Sequence, residues 1–400
     1  MPGPCERQKH IMGYLKELEK NRRYRIVYDL SPEGGKRRQK TETLIGKTRR
    51  EAQAILVKRE ESVRNGDLVC DGMTISTLFE RFMAKRTRLS PTTLLRYRTL
   101  FKTYLDPAFG QKKVSQLRQI DLIEAYAKWT NEGRDGRQVS ERTIRHAHDL
   151  LRAVLSWAVR LELARRNVAK LIDHEDLPKP MTPELKALTE SELRRLLQEA
   201  KSPTKRAQKR GTLGSQPWFY PAVAFAAYTG ARRGEVLALR WSDLNVEEKC
   251  VTIRRSLCKT DRGFQFKAPK NDKSRVLTLP DSILRVLEEH RVKQAEHKRL
   301  FADAYQGGDL VFALPDGGPV TPNSFGATFY ELIKRAGVTR IRLQDLRHTH
   351  GSLLAKQGVA IEVVSKRLGH SSIAITAERY LHVYRDRDAE AAGAFERLVG

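Results

Sequence analysis

Four cysteines are all that the 400 residues contain: Cys5, Cys70, Cys250 and Cys258. None belongs to a C-x-x-C pair or adjoins a histidine cluster, so no tetrahedral metal site is supported, and all four read as reduced, structural thiols. Long apolar runs are equally scarce. The longest, Trp218 to Tyr228, is too short to span a bilayer, and Met1 to Lys20 holds no apolar core of the signal-peptide type. A cytoplasmic location is the expectation. A Walker-type phosphate loop and a convincing set of Mg²⁺-binding carboxylates are also lacking, so neither a cofactor nor a metal is expected. Acidic residues fall well short of basic ones, 48 against 75, for a formal net charge of +27. A molecule so charged carries a positive field over most of its surface, and a polyanion is its natural partner. Charge does not speak to catalysis, because histone-like and ribosomal proteins are just as basic.

With 40% hydrophobic residues, the chain is long enough for two or three separately cored domains and too long for one ordinary core. The first segment, 1–70, sets Tyr24, Ile26 and Tyr28 on one face of an alternating run, and Ser31-Pro32-Glu33-Gly34-Gly35 reads as the turn of a hairpin. A second extended stretch, Lys36 to Thr41, leads to a Thr48…Glu51 capping box and a helix marked by Ala52, Ile55, Leu56 and Val63. The expected result is a small sheet backed by one helix. Its strands carry Arg23, Arg25, Arg37, Arg38 and Lys40, and a basic sheet of two or three strands has the width to enter a major groove. A solvated, charged sheet edge accounts for the same residues equally well.

The second segment, 71–175, reads as a bundle of about four helices. Ile75, Leu78, Phe79 and Phe82 share one face, and Ser90-Pro91 starts a helix presenting Leu94, Leu95, Leu100, Phe101 and Tyr104. A further helix from Ser140 presents Ile144, Ala147, Leu151, Val154, Leu155 and Ala158. Arg96 and Arg145, with Arg98, Lys102, Arg142 and Arg152, sit between apolar positions where they would reach phosphates; taken singly, each is also an ordinary solvated helix charge. Around 176–186 three prolines and an acidic cluster, Asp173 to Pro183, mark an interdomain linker. A Thr189…Glu192 capping box then opens a new folded unit, 187–388, and Ala389 to Leu398 in the tail, 389–400, reads as a short helix with an apolar side.

Chemistry enters with four boxes of this last unit. Tyr228-Thr229-Gly230-Ala231-Arg232-Arg233-Gly234-Glu235 is a turn before a helix that brings backbone N–H groups and a guanidinium toward one anion. Lys267 to Pro280 reads as a β-hairpin with Lys270 near its tip, and Lys267 and Lys273 stand close enough to be confused with it. Leu343-Gln344-Asp345-Leu346-Arg347-His348-Thr349-His350 follows, and then Leu368-Gly369-His370 with Tyr380 ten residues on. Boxes of this composition in this order resemble the tyrosine recombinase family, the phage integrases, over about Ala187 to Tyr384.

The resemblance implies roles residue by residue. Arg232 and Arg347 correspond to the two catalytic arginines, Glu235 to a buried acid that orients the site, Lys270 to the mobile catalytic lysine, His370 to the histidine of the Leu-Gly-His box and Tyr380 to the nucleophile. One position departs: where the family has a histidine three residues before the second arginine, this chain has Gln344, which donates hydrogen bonds but takes no proton. Removal of the tyrosine proton then falls to water, to substrate or to a slower route. The implied reaction is metal-free phosphoryl transfer, in which Tyr380 forms a 3′-phosphotyrosyl bond and frees a 5′ hydroxyl that a second strand can replace. A phenol of reference pKa about 10 needs charge neutralisation as well as a proton sink, and two permanently charged guanidiniums supply the former.

The family also implies an architecture that is multidomain and mainly α with small β-sheets: an arm-type DNA-binding domain, a helical core-binding (SAM-like) domain and a mixed α+β catalytic domain. Its implied partners are double-stranded DNA attachment sites, further copies of the chain in a tetramer on DNA, and possible DNA-bending and excisionase proteins. Read by itself, the tail helix would either dock on a neighbouring protomer or simply cap its own chain. Three alternatives stay open, a DNA-binding relic that has lost catalysis, a type IB topoisomerase-like enzyme and a metal-dependent nuclease or transposase.

Overall fold

The protein is described by a computed structural model covering residues 13–19, 23–33, 36–64, 73–133, 138–180, 186–202, 216–260, 263–268, 274–306, 308–385 and 388–399. The chain divides into two compact units, Met1–Thr182 and Pro183–Gly400.

Within the first unit, strands β1 (Tyr14–Glu19), β2 (Arg23–Glu33) and β3 (Lys36–Ile45) form an antiparallel sheet in that order. Helix α1 (Arg49–Arg64) follows, and its start is tied reciprocally: Thr48 N–H donates to the Glu51 carboxylate at 2.8 Å and Glu51 N–H to the Thr48 hydroxyl at 3.3 Å. The alternation read from β2 holds, because Tyr24, Ile26 and Tyr28 are fully buried, the latter two with Leu56 of α1, while Arg23 and Arg25 are exposed. Strand β1 was not foreseen. Lys16, Glu17 and Glu19 give it no apolar alternation; Leu15 packs against the Ile26, Tyr28 and Leu56 core, and cross-strand partners add to it, with Glu19 opposite Arg23 and Glu17 accepting the Tyr24 hydroxyl at 3.3 Å.

The bundle comprises α2 (Ile75–Ala84), α3 (Pro91–Leu100), α4 (Asp106–Phe109), α5 (Gln119–Asn131) and α6 (Glu141–Arg160). Ser90 and Ser140 cap α3 and α6 by accepting from the N–H groups of Thr93 and Thr143. The apolar stripes expected on α2 and α6 are buried, with Phe79 stacked on Phe101 at a centroid distance of 3.8 Å. Leu95 was expected inside but is 36% exposed. It lies about 100° around the helix from Leu94, one step off the inward stripe, and between α3 and α4 the chain passes through a π-helical turn, Phe101–Leu105, that resets the register. Leu177, in the proline-rich stretch, is buried with this core.

The second unit contains α7 (Glu190–Lys201), α8 (Phe219–Thr229), α9 (Arg233–Leu237), strands β4 (Leu244–Asn245), β5 (Cys250–Ile253), β6 (Ser256–Thr260), β7 (Gly263–Lys267) and β8 (Arg275–Thr278), then α10 (Asp281–Phe301), α11 (Pro322–Ala336), α12 (Leu346–Lys356), α13 (Ile361–Leu368), α14 (Ile373–Arg385) and α15 (Asp388–Val399). The apolar run at 218–228 is α8, buried nearly all round at the centre of the core, which is why it reads as hydrophobic without periodicity. Residues 267–280 were expected to form one hairpin. Instead β7 pairs with β6, and β8 pairs with β5 in a separate sheet ordered β4-β5-β8. On α15, Phe395, Leu398 and Val399 are 65%, 82% and 70% exposed. Among the described residues no helix is long and apolar enough to cross a membrane. Cys250 and Cys258 are free thiols, while Cys5 and Cys70 lie outside the described residues.

Candidate active site

Helix α8 ends because Gly230 adopts a left-handed conformation, φ 63°, turning the chain so that Arg232 caps α9. An ideal Cβ at Gly230 would stand 2.7 Å from Leu368 and 3.0 Å from His350, so both its angle and its space require glycine. Glu235, 1% exposed, accepts from Arg232 twice, from its backbone N–H at 2.9 Å and its Nη1 at 2.8 Å. It also accepts Arg275 Nη2 at 2.7 Å, and Arg275 Nε in turn donates to the Arg367 carbonyl at 3.0 Å. Burial would raise the Glu235 pKa, but Arg275 and then Arg232 outweigh it and the carboxyl is held below its ordinary value.

Arg347, 3% exposed on α12, donates Nη1 to the Gly230 carbonyl at 3.0 Å, whereas its Nη2 is buried without a partner. Its pKa is pushed down to about 9, first by burial and then by Arg232 and Arg275, with Glu235 and Tyr380 acting against the shift. The same interactions mark these five side chains as one electrostatic cluster.

His370 follows the left-handed Gly369 that ends α13, and its Nδ1 lies 2.7 Å from the Thr376 hydroxyl while Nε2 is buried and unpartnered. Burial, followed by Arg347, Arg379 and Arg232, pushes it down to about 3, so it is a neutral imidazole at physiological pH. The tautomer in which Thr376 donates to Nδ1 places the proton on Nε2, the nitrogen without a partner among the described residues.

Tyr380 on α14 is 1% exposed, and its hydroxyl lies 3.3 Å from His348 Nδ1. Burial raises its pKa, and Arg347 and Arg379 oppose that shift. Its ring packs on the backbone of α12 where a Cβ at Gly351 would fall 2.5 Å from Cζ and 2.6 Å from the hydroxyl oxygen. If Tyr380 is the nucleophile that the family resemblance implies, Gly351→Ala is expected to displace the phenol and slow DNA cleavage by at least about 10-fold at unchanged DNA affinity, since ångström errors in reacting geometry cost rates of up to about 10². Single-turnover cleavage beside a binding titration checks it; an alanine variant that cleaves at the wild-type rate would show that the seat of the Tyr380 ring on Gly351 does not matter to the reaction.

Arg367 links several of these elements. Its guanidinium donates to His350 Nε2 on α12 at 3.1 Å, to the Tyr228 carbonyl on α8 at 3.1 Å and to the Thr278 carbonyl on β8 at 3.4 Å.

Of the residues expected in the site, Arg232, Arg347, His370 and Tyr380 come together. Gln344 stands near, with its amide oxygen accepting the Arg233 N–H at 3.1 Å. Lys270 lies outside the described residues, as does Lys273. In the first unit Arg23 and Arg25 project from β2, and Lys40 on β3 pairs with Glu42 at 3.8 Å. Arg37 and Arg38 also belong to β3, with side chains outside the described set. Arg96 is exposed on α3 and together with Arg142 flanks His146, whose pKa is lowered by burial and then by Arg96; Arg145 is half-buried. Sequence reasoning did not single out Arg275 or His348. Arg275 had a legible signal, since it shares the inward face of β8 with Leu277. His348 stands four residues after Gln344, about one helical turn.

With this geometry in place, comparison with known proteins places the chain. Residues 186–387 match the phage integrase family and residues 74–130 the phage integrase N-terminal SAM-like domain. A tyrosine recombinase XerC-like protein of Caldanaerobacter subterraneus is 28% identical over 375 residues, 88% of this chain and 90% of that protein. A putative prophage phiRv2 integrase of Mycobacterium tuberculosis is 24% identical over 79% of this chain and 76% of its own length. Among solved structures, the Tn1549 transposon integrase in complex with a circular intermediate DNA superposes with a TM-score of 0.66 at 20% identity, covering 82% of this chain and all of that one. A lambda integrase tetramer bound to a Holliday junction gives a TM-score of 0.56 at 15% identity, over 92% of this chain and 94% of that one. Matched over half its length by the family's own model, with its arginines, histidine and tyrosine gathered at one place, the chain belongs to the phage integrase family, the tyrosine recombinases that cut and rejoin DNA at specific sites.

Proposed function

We propose that Tyr380 is the nucleophile with which this integrase attacks a scissile phosphate, and that Arg232, Arg347 and His370 hold that phosphate. The observation that carries this reading is that Arg347 Nη2 and His370 Nε2, two buried nitrogens in the cluster that includes Tyr380, have no partner among the described residues. Such atoms are costly to leave unsatisfied, and a phosphodiester would satisfy both. As Tyr380 bonds to phosphorus, negative charge grows on the non-bridging oxygens and the two guanidiniums neutralise it. The 5′ oxygen leaves with the electron pair of its bond and takes a proton, for which Lys270 is the assigned donor. The energy of the broken ester is kept in the tyrosyl bond, so a second strand's 5′ hydroxyl reverses the step without ATP.

Residues 1–70 are assigned to arm-type sites and 71–175 to the core site, with 176–186 as linker and 187–388 as the catalytic domain. Exposure of Arg23, Arg25 and Arg96 supports the first two assignments. Assembly as a tetramer on DNA is proposed by analogy with the lambda integrase tetramer bound to a Holliday junction, and the exposed apolar residues of α15 are the contact proposed for it. DNA-bending and excisionase proteins complete the proposed partners, and the expected place of action is the cytoplasm of a bacterial cell.

A nicked suicide attachment site tests the reading. Wild type should form a covalent adduct at full rate in EDTA, and Tyr380→Phe none. An adduct that survives Tyr380→Phe would sink the assignment, and complete absence of adduct from wild type would favour a DNA-binding relic.

A further inference from the structure

Gln344 accepts no proton, yet Tyr380 must lose one for its oxygen to bond to phosphorus. The side chain that faces the phenolic hydroxyl is His348, whose Nδ1 stands 3.3 Å from it in a buried environment. We propose that His348 is the proton acceptor for Tyr380 in this chain, taking over at one helical turn's distance the work that Gln344 cannot do.

Two further features suit His348 to the task. It lines an open cleft of about 880 Å³ that it shares with Gln344, Arg233 and Arg342, so its ring has a side away from the phenol from which a proton can exchange with solvent. It is also held neutral. Burial lowers its pKa, and Arg379, Arg347 and Arg342 add to that while Asp345 opposes it. Arg379 and Tyr380 reach it from α14, Arg342 and Asp345 from the turn before α12, Arg347 from its own helix, and Lys186 and Arg233 line the cleft beside it. A neutral imidazole protonated at Nε2 offers Nδ1 as an acceptor.

Complete transfer before attack is uphill, since even the reference values of phenol and imidazole differ by roughly three and a half units. The proton therefore moves as the O–P bond forms and the phenolic oxygen loses its basicity, which is general-base catalysis. In that step the Tyr380 O–H bond breaks and an Nδ1–H bond forms, O–P forms and P–O5′ breaks, and the 5′ oxygen takes a proton from its own donor. On rejoining, the imidazolium returns its proton to the departing phenolate. A scissile phosphate docked on Arg347 screens one of the charges that lower the His348 pKa and makes the imidazole a better base at the moment of need.

The proposal rests on Tyr380 being the nucleophile, which the adduct experiment decides separately. The test uses full-length protein and a suicide site with a 5′-bridging phosphorothiolate, whose leaving group needs no proton, and reads single-turnover cleavage against pH. Wild type should lose rate as the pH falls below an inflection that reports His348, and that inflection should stay in place when Tyr380 is replaced by a fluorinated tyrosine. His348→Asn, with DNA affinity retained, should cleave about 10²-fold slower, lack the inflection, and gain at least about 10-fold from fluorotyrosine where wild type gains little. Three outcomes overturn the proposal: wild-type cleavage by His348→Asn, a slower variant that keeps the inflection, or a wild-type inflection that follows the phenol's acidity. The last needs no change at position 348, so a misfolded His348→Asn would leave the idea just as exposed.

Discussion

Arg347→Met should cleave a suicide site about 10²–10³-fold more slowly than wild type, the usual cost of deleting one preorganised donor to a developing anion. The same change should make the free protein more stable. The wild-type cation is buried beside Arg232 and Arg275, one of its nitrogens has no partner, and its pKa stands near 9 rather than at the ordinary 12.5. The sign follows from proton binding: between those two values the unfolded chain holds a proton that the folded chain has lost. The electrostatic cost is therefore fully present below about pH 9 and fades as the pH rises through it. Removing the charge while filling its volume is expected to gain about 1 kcal/mol, roughly 2–4 °C for a domain of this size. Calorimetry of the two proteins at pH 7 without DNA checks this. A variant less stable by several degrees would mean that the Gly230 carbonyl contact outweighs the charge, and the picture of an enzyme strained to await phosphate would fail.

Glu235→Ala should act in the opposite direction. Its carboxylate lies between Arg232 and Arg275 and is almost wholly buried. Deleting it leaves these cations with Arg347 in one small volume, and breaking a buried pair from one side costs about 3–5 kcal/mol. A fall in thermal midpoint of roughly 10 °C is expected, with cleavage lost because Arg232 no longer has its anchor. Since the carboxyl titrates below its ordinary value, its contribution is fully present above the unfolded pKa and is lost as the pH falls through the folded one. The stability difference between wild type and variant should therefore shrink in acid. A difference that held constant from neutral pH down to about 3 would show that packing, not charge, explains the loss.

Features that repeat along one element were legible in the sequence. The stripes of α2 and α6 follow the helical period, the caps at Ser90, Ser140 and Thr189 are local hydrogen bonds, and α8 announces burial by being apolar on every side. The four chemical boxes were readable because each compresses its reactive residues into a few positions. Features that depend on a distant partner were not legible. Strand β1 is held by Arg23 and Tyr24 of its neighbour, β8 pairs with β5 across an intervening hairpin, and Leu95 faces outward because the helix is met from one side only. His348 lay in full view within the arginine box, yet its relation to Tyr380 spans 32 residues and exists only after α12 and α14 pack.

Arg367 bears on how the site is held together. By holding α8, β8 and α12 to α13, this one side chain fastens the turn carrying Arg232, the strand carrying Arg275, the helix carrying Arg347 and the loop carrying His370 into a single block. Tyr380 rides on α14, which this side chain does not touch; that helix joins the block through Thr376 on His370 and through the Tyr380 ring seated against Gly351 among Ala355, Val364 and Leu368. The phenol's register against the arginines is therefore set by packing and one hydroxyl contact, and a change at Thr376 or Gly351 would shift it while Arg232, Arg275 and Arg347 kept their own anchors.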